Sequence, residues 1–207
     1  MDRRLWVLGS AGALLAAVVT FRIRQLNEWG SRPAAERPQL RRFAPEFELN
    51  DQRSHLVKFQ RYLGRTQLVV VFFDDTLGAD SDPVLRPLID HADAIEAAGI
   101  QLVGVSAATP FANRQAEERL GHKVDFPLLT DVDLTSPITV PTHRLYGRFD
   151  DQTGTPLTGL FLIDRKQTVL MNPRNGFPAP VADPAQAVAS LIKGEWPSEQ
   201  ATEAQDR

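Results

Sequence analysis

The sequence contains no cysteine among its 207 residues. This absence excludes disulfide bonds, thiolate metal sites and any reaction in which a cysteine acts as the nucleophile or is oxidised. Basic residues are not in excess either, because 23 Lys and Arg stand against 26 Asp and Glu, a formal net charge of −3. That balance gives no electrostatic footprint for nucleic acid. No glycine-rich nucleotide fingerprint is present, so the sequence indicates no bound cofactor.

The overall composition is that of an ordinary globular chain. Apolar residues make up 43% of the sequence and charged residues 24%. At about 100–200 residues per domain, the length predicts one domain with additional segments. A core domain of roughly 150 residues buries enough surface to fold without disulfides.

Charge is missing altogether from residues 5–21, LWVLGSAGALLAAVVTF. Seventeen uncharged, mostly apolar residues are at the lower limit for crossing a hydrocarbon core of about 30 Å. We therefore expect a membrane anchor over residues 1–24, with a single transmembrane helix at about 5–21. The alternative is a cleaved signal peptide, because Arg3 and Arg4 form a short positive start. No small-x-small cleavage site follows the apolar run, which favours the uncleaved anchor.

Arginines flank this segment unequally. Two precede it, whereas Arg22, Arg24 and four more follow by residue 42. The positive-inside rule therefore favours a single-pass membrane protein with its domain on the cytoplasmic side. Residues 25–42 contain glycine and prolines without an apolar period, which predicts a linker. Residues 195–207 are mostly polar and predict a disordered tail.

Strand and helix patterns alternate through the expected domain, residues 43–194. The continuous apolar run at residues 68–73 predicts a strand buried on both faces, at the centre of the sheet. Apolar residues at helical spacing predict a helix over 83–98, ended by Gly99. Further strands are predicted over 101–105, 126–129, 160–163 and 169–171, and further helices over 110–120 and 184–192. This order indicates an α/β domain with a mixed sheet flanked by helices.

Short motifs in this domain follow an order that resembles the peroxiredoxins, the redoxin family of alkyl hydroperoxide reductases and thiol-specific antioxidants. The matching stretches are APEFEL at 44–49, VGVS at 103–106, FPLLTD at 126–131, YG at 146–147 and FLID at 161–164. The resemblance implies a thioredoxin-like fold of the peroxiredoxin type. It also implies an antioxidant oxidoreductase, and likeness to membrane-tethered thioredoxin-like proteins argues for a domain outside the cytoplasm.

The chain departs from this family at its reactive positions. The family's catalytic loop carries a cysteine after the buried strand; counting from Phe73 places Ser81 there, and matching Thr76 to the motif threonine places Ala79 there. The resemblance also implies an arginine before the late strand, where this chain has Thr158. A serine hydroxyl has no oxidation step comparable to that of sulfur. We therefore expect no thiol peroxidase activity.

Four carboxylates crowd the same loop: Asp74, Asp75, Asp80 and Asp82. Carboxylate oxygens suit a hard cation, although the spacing is not that of a calcium loop. The alternative is a solvated loop in which Asp82 caps the following helix. The four histidines, at positions 55, 91, 122 and 143, have no metal-ligand spacing and are interpreted as surface or satisfied side chains. Residues 135–155 are interpreted as an irregular surface excursion, and the alternative is an insert that covers the loop region or binds a partner.

Two functions are compatible with these observations. The first is a membrane-anchored pseudoenzyme of the peroxiredoxin type that binds a protein partner or a ligand without catalysis. The second is an oxidoreductase that uses a partner's thiol or a bound cofactor. The sequence favours the first, because it supplies neither the thiol nor a cofactor motif.

Overall fold

The computed structural model describes residues 40–132 and 140–197. The predicted anchor at 1–24, most of the predicted linker and most of the predicted tail lie outside these ranges. Within the described ranges, no helix is both long enough and apolar enough to cross a membrane.

The described residues form a mixed sheet flanked by helices, as the sequence predicted. The strands are β1 (Arg41–Phe43), β2 (Glu48–Asn50), β3 (Leu56–Lys58), β4 (Gln67–Phe72), β5 (Ile100–Ser106), β6 (Leu128–Thr130), β7 (Phe149–Asp150), β8 (Thr155–Pro156), β9 (Gly159–Ile163) and β10 (Thr168–Leu170). The helices are α1 (Leu85–Asp90), α2 (Ala92–Ala97), α3 (Pro110–Leu120), α4 (Pro141–Leu145) and α5 (Pro184–Ile192). A short 3-10 turn spans Phe59–Arg61.

Strand β4 lies at the centre of the main sheet, whose order is β1-β10-β9-β4-β5-β6-β2-β3. It pairs in parallel with β5, where Val70 faces Val103, and antiparallel with β9, where Val70 faces Phe161. The small β7–β8 hairpin forms a second sheet. The predicted central position of this strand is confirmed, and its apolar run follows from burial on both faces.

Alternate residues of β4 enter two separate cores. Val69 and Val71 pack with the inner sides of α1, α2 and α5 and form the helix-side core. Val70 and Phe72 pack with an aromatic cluster on the opposite face of the sheet. The helix caps also follow the sequence: Thr109 Oγ1 accepts from Ala112 N, and a side-chain oxygen of Asp183 accepts from Gln186 N.

Both ends of the domain extend beyond the predicted limits of 43 and 194. The last residues of the predicted linker belong to β1, where Arg41 faces Leu170 and Arg42 faces Val169. The Arg41 side chain also contacts the β9–β10 turn through Asp164 at 3.2 Å. At the other end, Trp196 of the predicted tail packs against the helix-side core.

The predicted helix over 83–98 is two helices, α1 and α2, and this prediction was wrong in its continuity. The break lies at His91, whose backbone has left the helical region (φ −121°, ψ 19°). The His91 ring Nδ1 lies 3.0 Å from the Pro87 carbonyl oxygen, while its backbone N–H is directed at Ile89 O. The side chain thus takes an acceptor that a continuous helix would use for its backbone.

Two further predictions need correction. The strand expected at 126–129 starts only at Leu128, because Pro127 has no N–H to donate, although its carbonyl accepts from Gly104 N at 3.0 Å. The segment interpreted as a surface excursion contains α4 and the β7–β8 hairpin, and Thr142, His143 and Tyr146 within it are buried. The described part of that segment therefore contributes to the core.

Candidate functional site

A cavity of about 440 Å³ lies at the carboxyl end of β4. Four parts of the chain line it: the loop from Phe72 to Val84, Arg148, the start of β9 with the preceding Thr158, and the stretch that leads into α5. Sites in open α/β sheets are typically found beyond the carboxyl ends of the strands. The cavity therefore occupies the expected location for a binding site.

Asp82 organises the loop on one side of this cavity. Its side chain is buried, and Oδ1 accepts from Val84 N at 2.9 Å and from Leu85 N at 2.8 Å. Oδ2 accepts from Asp74 N at 3.1 Å. These bonds tie the end of β4 to the start of α1, which is the capping role that the alternative interpretation gave to Asp82.

The other loop carboxylates are also engaged locally. Asp74 Oδ1 accepts from Thr76 N at 2.7 Å and from the Thr76 hydroxyl at 2.6 Å, and these bonds lower the pKa of Asp74. Asp80 receives two hydrogen bonds from the Arg119 guanidinium, at 2.8 and 2.6 Å, which lower the pKa of Asp80. Asp75 is exposed. Across the described residues, no three His, Asp or Glu side chains are placed to hold a metal ion.

The residues at the positions that match the family's reactive cysteine and arginine lie in different surroundings. Ala79 is fully buried in the helix-side core, and Ser81 is exposed, with its hydroxyl 3.3 Å from Asp80 Oδ2. Neither lines the cavity, whereas Thr158 does. Among the described residues, the Ser81 hydroxyl hydrogen-bonds to no histidine or lysine that could act as a base. This geometry lacks the activated nucleophile that acyl transfer requires.

Arg148 brings a guanidinium to the cavity from an unexpected place. It follows the Tyr146–Gly147 pair, and Gly147 has φ +62° with no room for a Cβ, which would lie 2.8 Å from Phe177 Cγ. The Arg148 side chain then passes close to Gly159, where a Cβ would lie 3.3 Å from Arg148 Nε. Arg148 Nε is buried without a hydrogen-bond partner, and burial lowers the pKa of this arginine.

Sequence reasoning assigned no role to Arg148. The available signal was the arginine directly after the Tyr146–Gly147 pair, in a chain that lacks the arginine implied at Thr158. The approach of Arg148 to the cavity depends on its contact with Gly159, eleven positions further along the chain.

A buried histidine–aspartate pair lies behind Phe72, a cavity-lining residue. His143 Nδ1 lies 2.6 Å from Asp131 Oδ2. The imidazole packs edge to face against the Phe72 ring, with the two ring centroids 4.8 Å apart. The other ring nitrogen, His143 Nε2, is buried and has no hydrogen-bond partner in the described structure. His143 is thus neither a surface histidine nor fully satisfied, which corrects the sequence-based interpretation.

The architecture defines the class of protein. A central parallel β4–β5 pair, antiparallel β9 and β10, and helices on the sheet form a thioredoxin-like domain of the peroxiredoxin type. Residues 40–171 match the AhpC/TSA family, and the chain belongs to that family.

Known proteins of this group are similar at modest identity. Alkyl hydroperoxide reductase E of Mycobacterium tuberculosis is 29% identical over 122 residues, covering 59% of this chain and 76% of that protein. Peroxiredoxin 2 of Thermoplasma acidophilum is 25% identical over 130 residues, or 61% of each chain. The crystal structure of peroxidoxin BcpB from M. tuberculosis superposes with a TM-score of 0.50 at 18% identity, covering 75% of this chain and 95% of that one. These similarities confirm the resemblance and the fold, while the chain itself has no cysteine.

Proposed function

We propose that this protein is a redox-inactive member of the AhpC/TSA family that binds a ligand at the carboxyl end of β4, and that residues 1–24 tether it to a membrane. The cavity beside a loop without a thiol carries this proposal. The domain has a recess at the carboxyl end of β4, and its relatives carry the names of peroxide-reducing enzymes. This chain, however, has no cysteine thiol that a peroxide could oxidise.

The catalytic part of this proposal has a direct test. The full-length chain, purified in detergent, is mixed with hydrogen peroxide and dithiothreitol, and peroxide consumption is followed against the reductant alone. We expect the two rates to be equal. A cysteine-containing relative in the same detergent serves as the positive control, and turnover by this chain above the reductant-only rate would disprove redox inactivity.

The alternative function borrows a thiol from a partner or uses a bound cofactor. The family membership favours it, because the relatives carry oxidoreductase names. Membranes that contain the chain are compared with membranes lacking it, before and after thiols are blocked with N-ethylmaleimide. Chain-dependent peroxide consumption that N-ethylmaleimide abolishes would support a borrowed thiol, and consumption that survives the block would support a cofactor.

The membrane tether and its orientation rest on the sequence alone. Residues 5–21 are free of charge, and the arginines that follow favour a cytoplasmic domain. Carbonate-washed membranes should retain the full chain with its original N-terminus. A soluble form beginning after residue 21 would indicate a cleaved signal peptide. Digestion of the domain by protease added to intact cells would overturn the cytoplasmic assignment.

A further inference from the structure

Arg148 is a half-buried cation whose Nε lies buried in the protein, and no carboxylate of the described residues lies within ion-pair distance of it. The backbone of Arg148 is held on both sides, since its N–H donates to His143 O at 2.6 Å and its carbonyl accepts from Leu157 N at 2.8 Å. Its side chain passes close to Gly159, and its buried Nε has no hydrogen-bond partner among the described residues. An arginine keeps its charge in proteins, and a desolvated charge without a partner is costly. An anionic ligand would remove that cost.

The walls of the cavity determine what kind of anion fits. Most of the lining is apolar and includes Phe72, Leu77, Val84, Leu160, Pro180 and Val181. At about 440 Å³ the cavity lies within the range of roughly 300–1,000 Å³ that is usual for small-molecule sites. Such walls stabilise a ligand with an apolar body rather than a bare inorganic ion.

Two carboxylates also line the cavity and restrict the charge of the ligand. The carboxylate oxygens of Asp82 accept hydrogen bonds from three backbone N–H groups. Asp74 accepts from the backbone N–H and the hydroxyl of Thr76. Their negative charges oppose a doubly charged group such as phosphate more strongly than a singly charged one. A planar carboxylate, in contrast, matches the fork of a guanidinium.

We propose that this cavity binds a small organic monocarboxylate, with its carboxylate on the Arg148 guanidinium and its apolar body against the Phe72–Leu160 wall. The site rests on the proposed function, because it treats the recess as a binding site and not as a reaction centre. Arg148 provides this cation from the segment that follows α4. The family resemblance instead implies an arginine at position 158, just before β9, where this chain has Thr158. Thr158 lines the same cavity.

Benzoate, benzamide and inorganic phosphate provide a matched set of probes. Benzamide keeps the ring and the planar head group but removes the charge, while phosphate keeps the charge and removes the apolar body. Binding to the full-length chain in nanodiscs is measured by calorimetry. The Arg148 Nε–H resonance, identified by its loss in Arg148→Lys, is followed by NMR during the titration. We expect benzoate to bind and to shift this resonance, and benzamide and phosphate to bind far more weakly.

Arg148→Gln removes the guanidinium and should weaken benzoate binding roughly 10- to 100-fold, the usual effect of losing a hydrogen bond to a charged group. Arg65→Gln is the matched control, because Arg65 is exposed and precedes the opposite end of β4. It should leave binding unchanged. Should Arg148→Gln fail to fold, the benzoate and benzamide comparison on the wild-type chain still decides.

Three outcomes would overturn the proposal: no benzoate binding, equal binding of benzoate and benzamide, or benzoate binding that survives Arg148→Gln. Each can occur while the chain still shows no peroxide turnover, so the proposed redox inactivity would stand. Conversely, peroxide turnover with intact benzoate binding would disprove redox inactivity and leave the carboxylate site in place.

Discussion

Asp131 shows how much one buried carboxylate can organise. Its Oδ1 accepts from Thr142 N at 3.0 Å, and its Oδ2 accepts from His143 N at 2.7 Å and from His143 Nδ1 at 2.6 Å. Asp131 is fully buried, so these three donors have no contact with bulk solvent through it. The start of α4 and the imidazole behind the cavity therefore depend on one side chain.

Asp131→Ala should destabilise the protein strongly. Each buried donor left without a partner costs about 1–3 kcal/mol, so we expect the free energy of unfolding to fall by at least ~2 kcal/mol. Urea unfolding followed by tryptophan fluorescence measures this. Asp151→Ala is the control, because Asp151 pairs with Arg144 at the surface and its loss should change stability by less than about 0.5 kcal/mol. Equal effects of the two variants would contradict the role given to Asp131.

Asp164, in the turn of the β9–β10 hairpin, makes the stability of the domain depend on pH. Burial raises the pKa of Asp164, but hydrogen bonds from the backbone and hydroxyl of Thr168, together with the charge of Arg41, outweigh it and lower the pKa overall. The unfolded state therefore binds the proton more tightly than the folded state. The contribution of Asp164 to stability is present above its unfolded pKa of about 3.9 and is lost as pH falls through the folded pKa.

Asp164→Asn should accordingly be less stable than the wild type near pH 7, and the difference should shrink below about pH 4. Free energies of unfolding at a series of pH values for the two proteins test this. A difference that widens towards acid would mean that the folded carboxylate is not stabilised in its charged form.

Gly104 limits the packing between β4, β5 and β6. A Cβ on this residue would lie 2.9 Å from Leu128 Cδ2 and 3.2 Å from Phe73 Cε1. Gly104→Ala should therefore overpack the helix-side core and cost about 1–3 kcal/mol, measured as a lower urea midpoint. A neutral or stabilising effect would show that Leu128 and Phe73 move aside freely.

Elements with a strong local pattern could be predicted from the sequence. The apolar run at 68–73, the Thr109–Pro110 start of α3 and the Asp183–Pro184 start of α5 each carry their own signal. The break at His91 could not be read in this way, since a histidine side chain displaces a backbone bond within an otherwise helical pattern. The position of Arg148 at the cavity could not be predicted either. It depends on the turn at Gly147 and on the room that Gly159, which has no side chain, leaves for the arginine.

At the scale of the whole molecule, we expect that a thiol at Ser81, one of the two positions that match the family's cysteine, does not restore the reaction. Ser81 is exposed, does not line the cavity that Arg148 reaches, and lies beside the Asp80 carboxylate, which disfavours a thiolate. Ser81→Cys should give a thiol with a pKa at or above about 8.5 and no peroxidase turnover. The pH dependence of alkylation by iodoacetamide and a peroxide consumption assay measure these properties. Turnover comparable to a cysteine-containing relative would show that the loop retains the reactive arrangement.

The first strand of the domain has a mechanical consequence. β1 has three residues, lies at the edge of the sheet and pairs with β10, and Met171 N donates to Leu40 O at 2.8 Å just before it. Tension applied through the chain that precedes Leu40 would act first on these few bonds. The centre of the sheet, built on β4, β5 and β9, is separated from β1 by β10. We therefore expect β1 to detach under tension at a lower force than these central strands, while the cavity keeps its walls.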